Sequence, residues 1–206
     1  MNAPSRLVNA ALLLAGSLAL QARAEVSLPP FHEAASAMKA EGRLGQVLKQ
    51  EKVATRITGA SAWRIVYVSS DVMGRKTLST ALVVAPSGPS PKGGRPVIAW
   101  AHGTTGTAQN CGPSQVPDPA QPLNQYLLVG GNSWTDYQGL GAGGMHQYAI
   151  AVTNGRDVID SVRAASSLKG AGGGKTAVVY GWPPRSSSAS SRPASPTTSS
   201  TSPTSS

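Results

Sequence analysis

Two short runs, VIAWA at 97–101 and TAVVY at 176–180, constrain the fold of this 206-residue chain more than any other feature. Both are continuously apolar or β-branched instead of alternating, the pattern of a strand covered on both faces, as in a parallel sheet. Between them Met145, Ala149, Val152, Ile159, Val162 and Ser166 recur at helical spacing. That spacing predicts a helix of about 20 residues with one apolar or small face. Its other face carries Arg156, Asp157, Asp160 and Arg163, which can pair across one turn. Gly155 weakens its middle, and Gly170 to Gly174 reads as a flexible connection into the second run.

Upstream, Ala62 to Ser69 alternates like a strand, Asp71 to Lys76 holds a turn around Gly74, and Ser79 to Ala85 is a second strand. The pair reads as a hairpin. Phe31 to Lys52, rich in Ala, Lys and Glu, looks helical and peripheral. Pro86 to Pro96 is a Pro/Gly/Ser loop, and Leu123 to Val129 fits a helix or a strand equally well. A hairpin followed by strand, helix and strand points to an α/β sheet.

The first 24 residues stand apart. Arg6 supplies a charged n-region, Leu7 to Leu20 an apolar core, and Ala22-Arg23-Ala24 a small-x-small cleavage site, so export through a signal cleaved near Ala24 is expected, to a secreted or periplasmic location. Those 14 residues are too few for a bilayer, which needs roughly 20. No later segment is long or apolar enough to span. The net charge of +9 does not mark a nucleic-acid binder: two arginines fall in the signal, two in the last 24 residues, and the rest are dispersed with no basic stripe between aromatics. There is a single cysteine, Cys111. An odd cysteine in an exported chain implies a free thiol, an intermolecular bridge or a missing partner.

Several chemistries are excluded by spacing. GAGGGKT (170–176) imitates a phosphate loop, but a helix precedes it and a strand follows, the reverse of the order that aims backbone N–H groups at phosphate. His32, His102 and His146 are far apart, and none lies beside acids at metal-ligand spacing. No cofactor is implied. The stronger signal is the first apolar run ending in His102-Gly103-Thr104-Thr105-Gly106, because a Gly-containing loop there lets a backbone N–H approach a developing oxyanion. About 80 residues on, Val178-Val179-Tyr180-Gly181-Trp182 is an apolar strand entering the first half of a nucleophile elbow, G-x-S-x-G. The serine position holds Pro183 and the second glycine position Arg185.

Together AWAHGTTGTAQNCGPS (99–114), TDYQGLGAGGMHQYAIAVTNGRDVIDSVRAA (135–165) and VVYGW (178–182) resemble the secretory lipase family of the α/β-hydrolase superfamily, over roughly residues 30–182. The resemblance implies a mostly parallel sheet with flanking helices, truncated after the strand that leads to the elbow. It implies an exported serine esterase or lipase acting on carboxylic esters or lipids. Gly103 and Thr104 would supply one oxyanion donor, and Asp136, Tyr137, Gln138 and Gly139 would belong to a loop bordering the site. His102 and His146 fall at structural or loop-forming positions, and Cys111 would pair with a downstream cysteine that this chain lacks. Nothing matches the nucleophile, acid or base, so the chain is expected to be inactive.

Pro183 to Ser206 contains 11 Ser, 5 Pro and 4 Thr and no aliphatic residue larger than Ala. Such a segment buries too little apolar surface to order itself. Its onset inside a motif points to a shifted reading frame after codon 182 in preference to a Ser/Thr/Pro stalk. Without later strands, the strand at 176–180 would be an exposed edge prone to aggregation. The alternative function is a non-catalytic secreted module that binds lipid or a partner.

Overall fold

The computed structural model describes residues 27–116, 118 and 131–181; the signal-like segment, Leu123 to Val129, and Trp182, Pro183 and the rest of the Ser/Pro/Thr segment lie outside the described residues. In chain order come helix α1 (Pro30–Ser36), strands β1 (Val47–Val53), β2 (Ala60–Ser70), β3 (Lys76–Pro86), β4 (Arg95–Ala101) and β5 (Gly131–Thr135), helix α2 (Ala151–Ser167) and strand β6 (Gly173–Gly181). They form one six-stranded sheet in the order β1-β2-β3-β5-β4-β6. The sheet is mixed: β1, β2, β3 and β5 pair antiparallel in succession, whereas β4 runs parallel to both β5 and β6.

The hairpin is longer than its apolar core suggested, running from Ser70↔Lys76 to Ala60↔Pro86. Asp71 closes it. Its Oδ1 accepts from the amides of Met73 and Arg75, both at 2.9 Å, and Gly74 takes the positive φ (79°) that the turn demands. Burial then follows the pleat. Trp63, Ile65, Tyr67, Ala81 and Val83 face α2 and pack with Ala164, Ala165 and Leu168. On the opposite face Val66, Val68 and Leu78 pack with Phe31 and Ala35 of α1, and Leu82 and Val84 pack with Ile57 beside Trp100 and Trp134.

Three features differ from, or were missing from, what the sequence suggested. The helix expected over Phe31 to Lys52 stops at Ser36, and Val47–Val53 is instead a strand at the sheet edge. Gly42 and Gly45 adopt positive φ (115° and 73°) between them, which breaks a right-handed helix. Strand β5, GNSWT, was not anticipated, because it lacks both alternation and an apolar run.

The third correction concerns α2, which presents the opposite face to the core. Val152 and Ile159 are each 50% exposed and Met145, which precedes the helix, is 83% exposed, while Thr153, Asp157, Asp160 and Ser161 are buried. Polar partners on the sheet explain the inversion. The Asp157 carboxylate accepts from Ser79 Oγ (2.7 Å) and the Gln138 amide (2.9 Å), and Asp160 accepts from Ser69 Oγ (3.1 Å) and Arg163 (2.5 Å). Tyr67 donates to the Asp157 carbonyl (2.9 Å), and Ser133 Oγ donates to that of Ser161 (3.2 Å). A buried carboxylate with several donors is tolerated where an unpaired one is not. Burial still pushes Asp157 up to about 6, against those hydrogen bonds.

Candidate active site

Beta-strand order decides where a site can lie. The chain leaves β4 for β5 on one side and returns through α2 to β6 on the other, so the strand order reverses at β4. In open α/β sheets, ligands bind outside the carboxyl ends of the strands at such a switch point. The register sets Ala101, the last residue of β4, opposite Gly181, the last of β6. A Cβ added to Gly181 would lie 3.8 Å from that of Ala101, so the loop beginning at His102 and the chain leaving β6 start side by side.

The loop after β4 is anchored through its first residue. The His102 ring is buried 4.6 Å from the Tyr137 ring, its Nδ1 lies 2.6 Å from the Gly103 carbonyl, and the Tyr137 hydroxyl donates to the His102 carbonyl at 3.2 Å. Burial lowers the His102 pKa, so the ring stays neutral and donates through Nδ1–H. Gly103 is half-buried and Thr104 exposed. Among the described residues no hydrogen bond uses the amide N–H of either one. Thr104 Oγ1 lies 3.0 Å from the Tyr148 hydroxyl, which lends the loop a second support. At the far end a Cβ on Gly106 (φ 133°) would lie 2.4 Å from Cys111 Sγ, so this glycine admits the thiol; Cys111 is free.

The loop at 136–139 borders this end of the sheet through Tyr137, whose ring packs on His102. Tyr137 itself adopts positive φ (67°), held by a bond from its amide to Thr135 Oγ1 (3.1 Å). Burial pushes its phenol well above the usual range. Gly139 is buried where a Cβ would meet the His146 amide at 2.3 Å, and the Gln138 carbonyl lies 2.8 Å from His146 Nδ1. These contacts give His146 a loop-holding role.

Asp136 points elsewhere, into a buried cluster that sequence reasoning missed. Its carboxylate accepts from the Ser114 amide (2.8 Å), Ser114 Oγ (2.5 Å) and Thr80 Oγ1 (2.6 Å), and His32 Nε2 lies 2.8 Å from Ser114 Oγ. Serine, histidine and aspartate meet here, but not as a nucleophilic triad. Ser114 directs its single proton to Asp136, so His32 must donate to Ser114 and cannot act as its base. Ser114 is 1% exposed and His32 and Asp136 are fully buried, out of reach of substrate. Burial, with Arg64 and Lys49 adding repulsion, lowers His32 to about 4; burial raises Asp136 to about 6. The cluster ties α1, β3 and the end of β5 together. Nothing in the local sequence pattern signals it.

No protein-family model matches the sequence, and no curated protein does. Solved structures do. Among them are the rice cell wall degrading esterase LipA from Xanthomonas oryzae in a ligand-bound form, 19% identical with a TM-score of 0.55 over 68% of this chain and 43% of that one, and Candida antarctica lipase A, 18% identical with a TM-score of 0.56 over 74% and 37%. The fold is that of an α/β hydrolase. This chain spans about two fifths of the length of those hydrolases. Ala99 to Ala101 and Val179 to Gly181, from the segments 99–114 and 178–182 singled out in the sequence, lie side by side at the carboxyl ends of β4 and β6. No helix among the described residues is long and apolar enough to cross a membrane.

Proposed function

We propose that this chain carries the oxyanion side of a secreted serine esterase or lipase that degrades carboxylic esters or lipids. The observation that carries the reading is the pair of amide N–H groups at Gly103 and Thr104 that no hydrogen bond uses among the described residues, on a loop held by His102 and Tyr137 beside the end of β6. Such donors stabilise the charge that develops on a carbonyl oxygen under nucleophilic attack, and losing one costs about 100- to 1000-fold in turnover. In this proposal Gly181 and Trp182 open the nucleophile elbow, and residues 1–24 direct export.

Chain 1–206 by itself does not turn esters over, because Pro183 stands where the elbow needs serine and proline has no hydroxyl to attack with. The switch at Pro183 arises from a change of reading frame after codon 182. Two measurements test these statements. Purified chain should hydrolyse p-nitrophenyl butyrate no faster than buffer and take no fluorophosphonate label; turnover with a labelled serine would overturn the inactivity. Translating the other two frames beyond codon 182 should reveal Ser-x-Gly followed by a long α/β continuation. Early stops in both frames would sink the frame-change reading.

A further inference from the structure

At the edge of the sheet opposite β6, a groove of about 650 Å³ lies between the loop entering β1 and the carboxyl-terminal half of α2. That volume suits a small molecule. Its polar lining is Arg43, Arg163 and Lys169 with Gln46, Gln50 and Ser167, and among the described residues no acid lines it. Leu44 and Leu168 add apolar surface.

The groove is built into the fold. Gly45 sits where a Cβ would lie 2.3 Å from Arg163 Cβ, so the loop backbone rests directly on a helix residue that lines the groove. The loop is fixed by the Gly45 amide donating to the Val68 carbonyl (2.8 Å), by the Val68 amide donating to the Gln46 carbonyl (3.1 Å), and by the Arg43 amide donating to Gln46 Oε1 (3.0 Å). Among the described residues, the side chains of Arg43 and Lys169 form no ion pair. Arg163 pairs with Asp160, but one such bond leaves most of its five N–H donors available. The end of α2 contributes partial negative charge, so an anion here depends on the three cationic side chains. Three cations with one partly neutralised match a dianion better than a monoanion.

We propose that this groove binds a phosphate monoester, whose roughly two negative charges at neutral pH meet Arg43, Arg163 and Lys169 while its apolar body lies against Leu44 and Leu168. Guanidinium forks suit phosphate because two parallel N–H bonds reach two oxygens. The ester can be soluble or a lipid headgroup, and the chemistry of recognition is the same. This inference does not depend on the esterase reading.

The probe is phenyl phosphate, titrated calorimetrically into the full chain at about 0.15 M salt, where diffuse attraction is screened. Saturable binding is expected, weakened about tenfold or more by R43Q/K169Q and unaffected by K92Q. Both altered side chains are exposed, and circular dichroism checks that the variant folds. Failure to saturate by about 10 mM, or equal binding by the double variant, overturns the proposal. Sedimentation with phosphatidylcholine vesicles containing phosphatidic acid identifies the source. Retention lost in R43Q/K169Q supports a headgroup, and no retention alongside phenyl phosphate binding supports a soluble ester. Retention unchanged in that variant counts against the groove.

Discussion

Strands β3 and β6 share nearly the same text, Thr-Ala-Leu-Val-Val-Ala at 80–85 and Thr-Ala-Val-Val-Tyr-Gly at 176–181, and meet opposite surroundings. Leu82, Val83 and Val84 are at most 1% exposed, whereas Val178 and Val179, on the two faces of β6, are 56% and 59% exposed. The first strand has neighbours on both sides and layers on both faces. Among the described residues the second pairs with β4 alone. An apolar β-branched run thus determines that a segment is a strand, but its burial belongs to the neighbours. The most direct way to break the comparison is truncation in each strand. Leu82→Ala should cost about 2–5 kcal/mol through lost transfer energy and an unfilled cavity, and Val178→Ala within about 0.5 kcal/mol. Urea unfolding midpoints read both, and equal losses would mean that β6 is as covered as β3.

The buried carboxylates sharpen the contrast by a second route, since only the well-covered part of the sheet can shift their titration. Asp157 and Asp136 are each raised by burial to about 6. Stability from these two groups is therefore fully present below the unfolded value near 4 and falls as pH rises through 6. His32, lowered to about 4 first by burial, works the other way: its contribution is present above about 6.5 and lost as pH falls through 4. Between pH 4 and 6 the observed slope is their difference. Asp157→Asn removes one falling contribution and should make the slope of unfolding free energy against pH more positive, by up to about 1.4 kcal/mol per pH unit. An unchanged slope would mean that Asp157 titrates normally and is not buried as described.

What was legible in the sequence follows the same division. The four strands β2, β3, β4 and β6 announced themselves through apolar content, and the Gly103–Thr104 loop through its place after one of them. Strand β1 was hidden because an edge strand tolerates Lys49, Glu51 and Lys52, which also suit a helix. Strand β5 was hidden because its interior is polar: Asn132, Ser133 and Thr135 are buried, with Ser133 and Thr135 bonded to Ser161 and Tyr67. The His32–Ser114–Asp136 cluster joins positions 82 and 22 residues apart. Local patterns carry no trace of such contacts. Removing one hydroxyl from this polar layer gives an intermediate effect: Ser79→Ala should cost about 1–3 kcal/mol, since it takes a donor from buried Asp157. A thermal melt unchanged by that substitution would show that solvent reaches the carboxylate.

The smallest expected effect tests the inverted helix most cleanly. If α2 buried the face that its apolar periodicity suggests, Ile159→Gln would remove a large side chain from the core and cost several kcal/mol. With Ile159 half-exposed and Asp157 and Asp160 turned inward, the same change should fall within about 0.5 kcal/mol. Ala164→Gln, on the buried face against the sheet, should instead cost about 1–3 kcal/mol by overpacking. Unfolding curves of the two variants decide the matter through their order, which depends on no absolute stability. A larger loss at 159 than at 164 would rotate the helix back to its apolar face. It would also leave the hydrogen bonds of Asp157 and Asp160 without their partners.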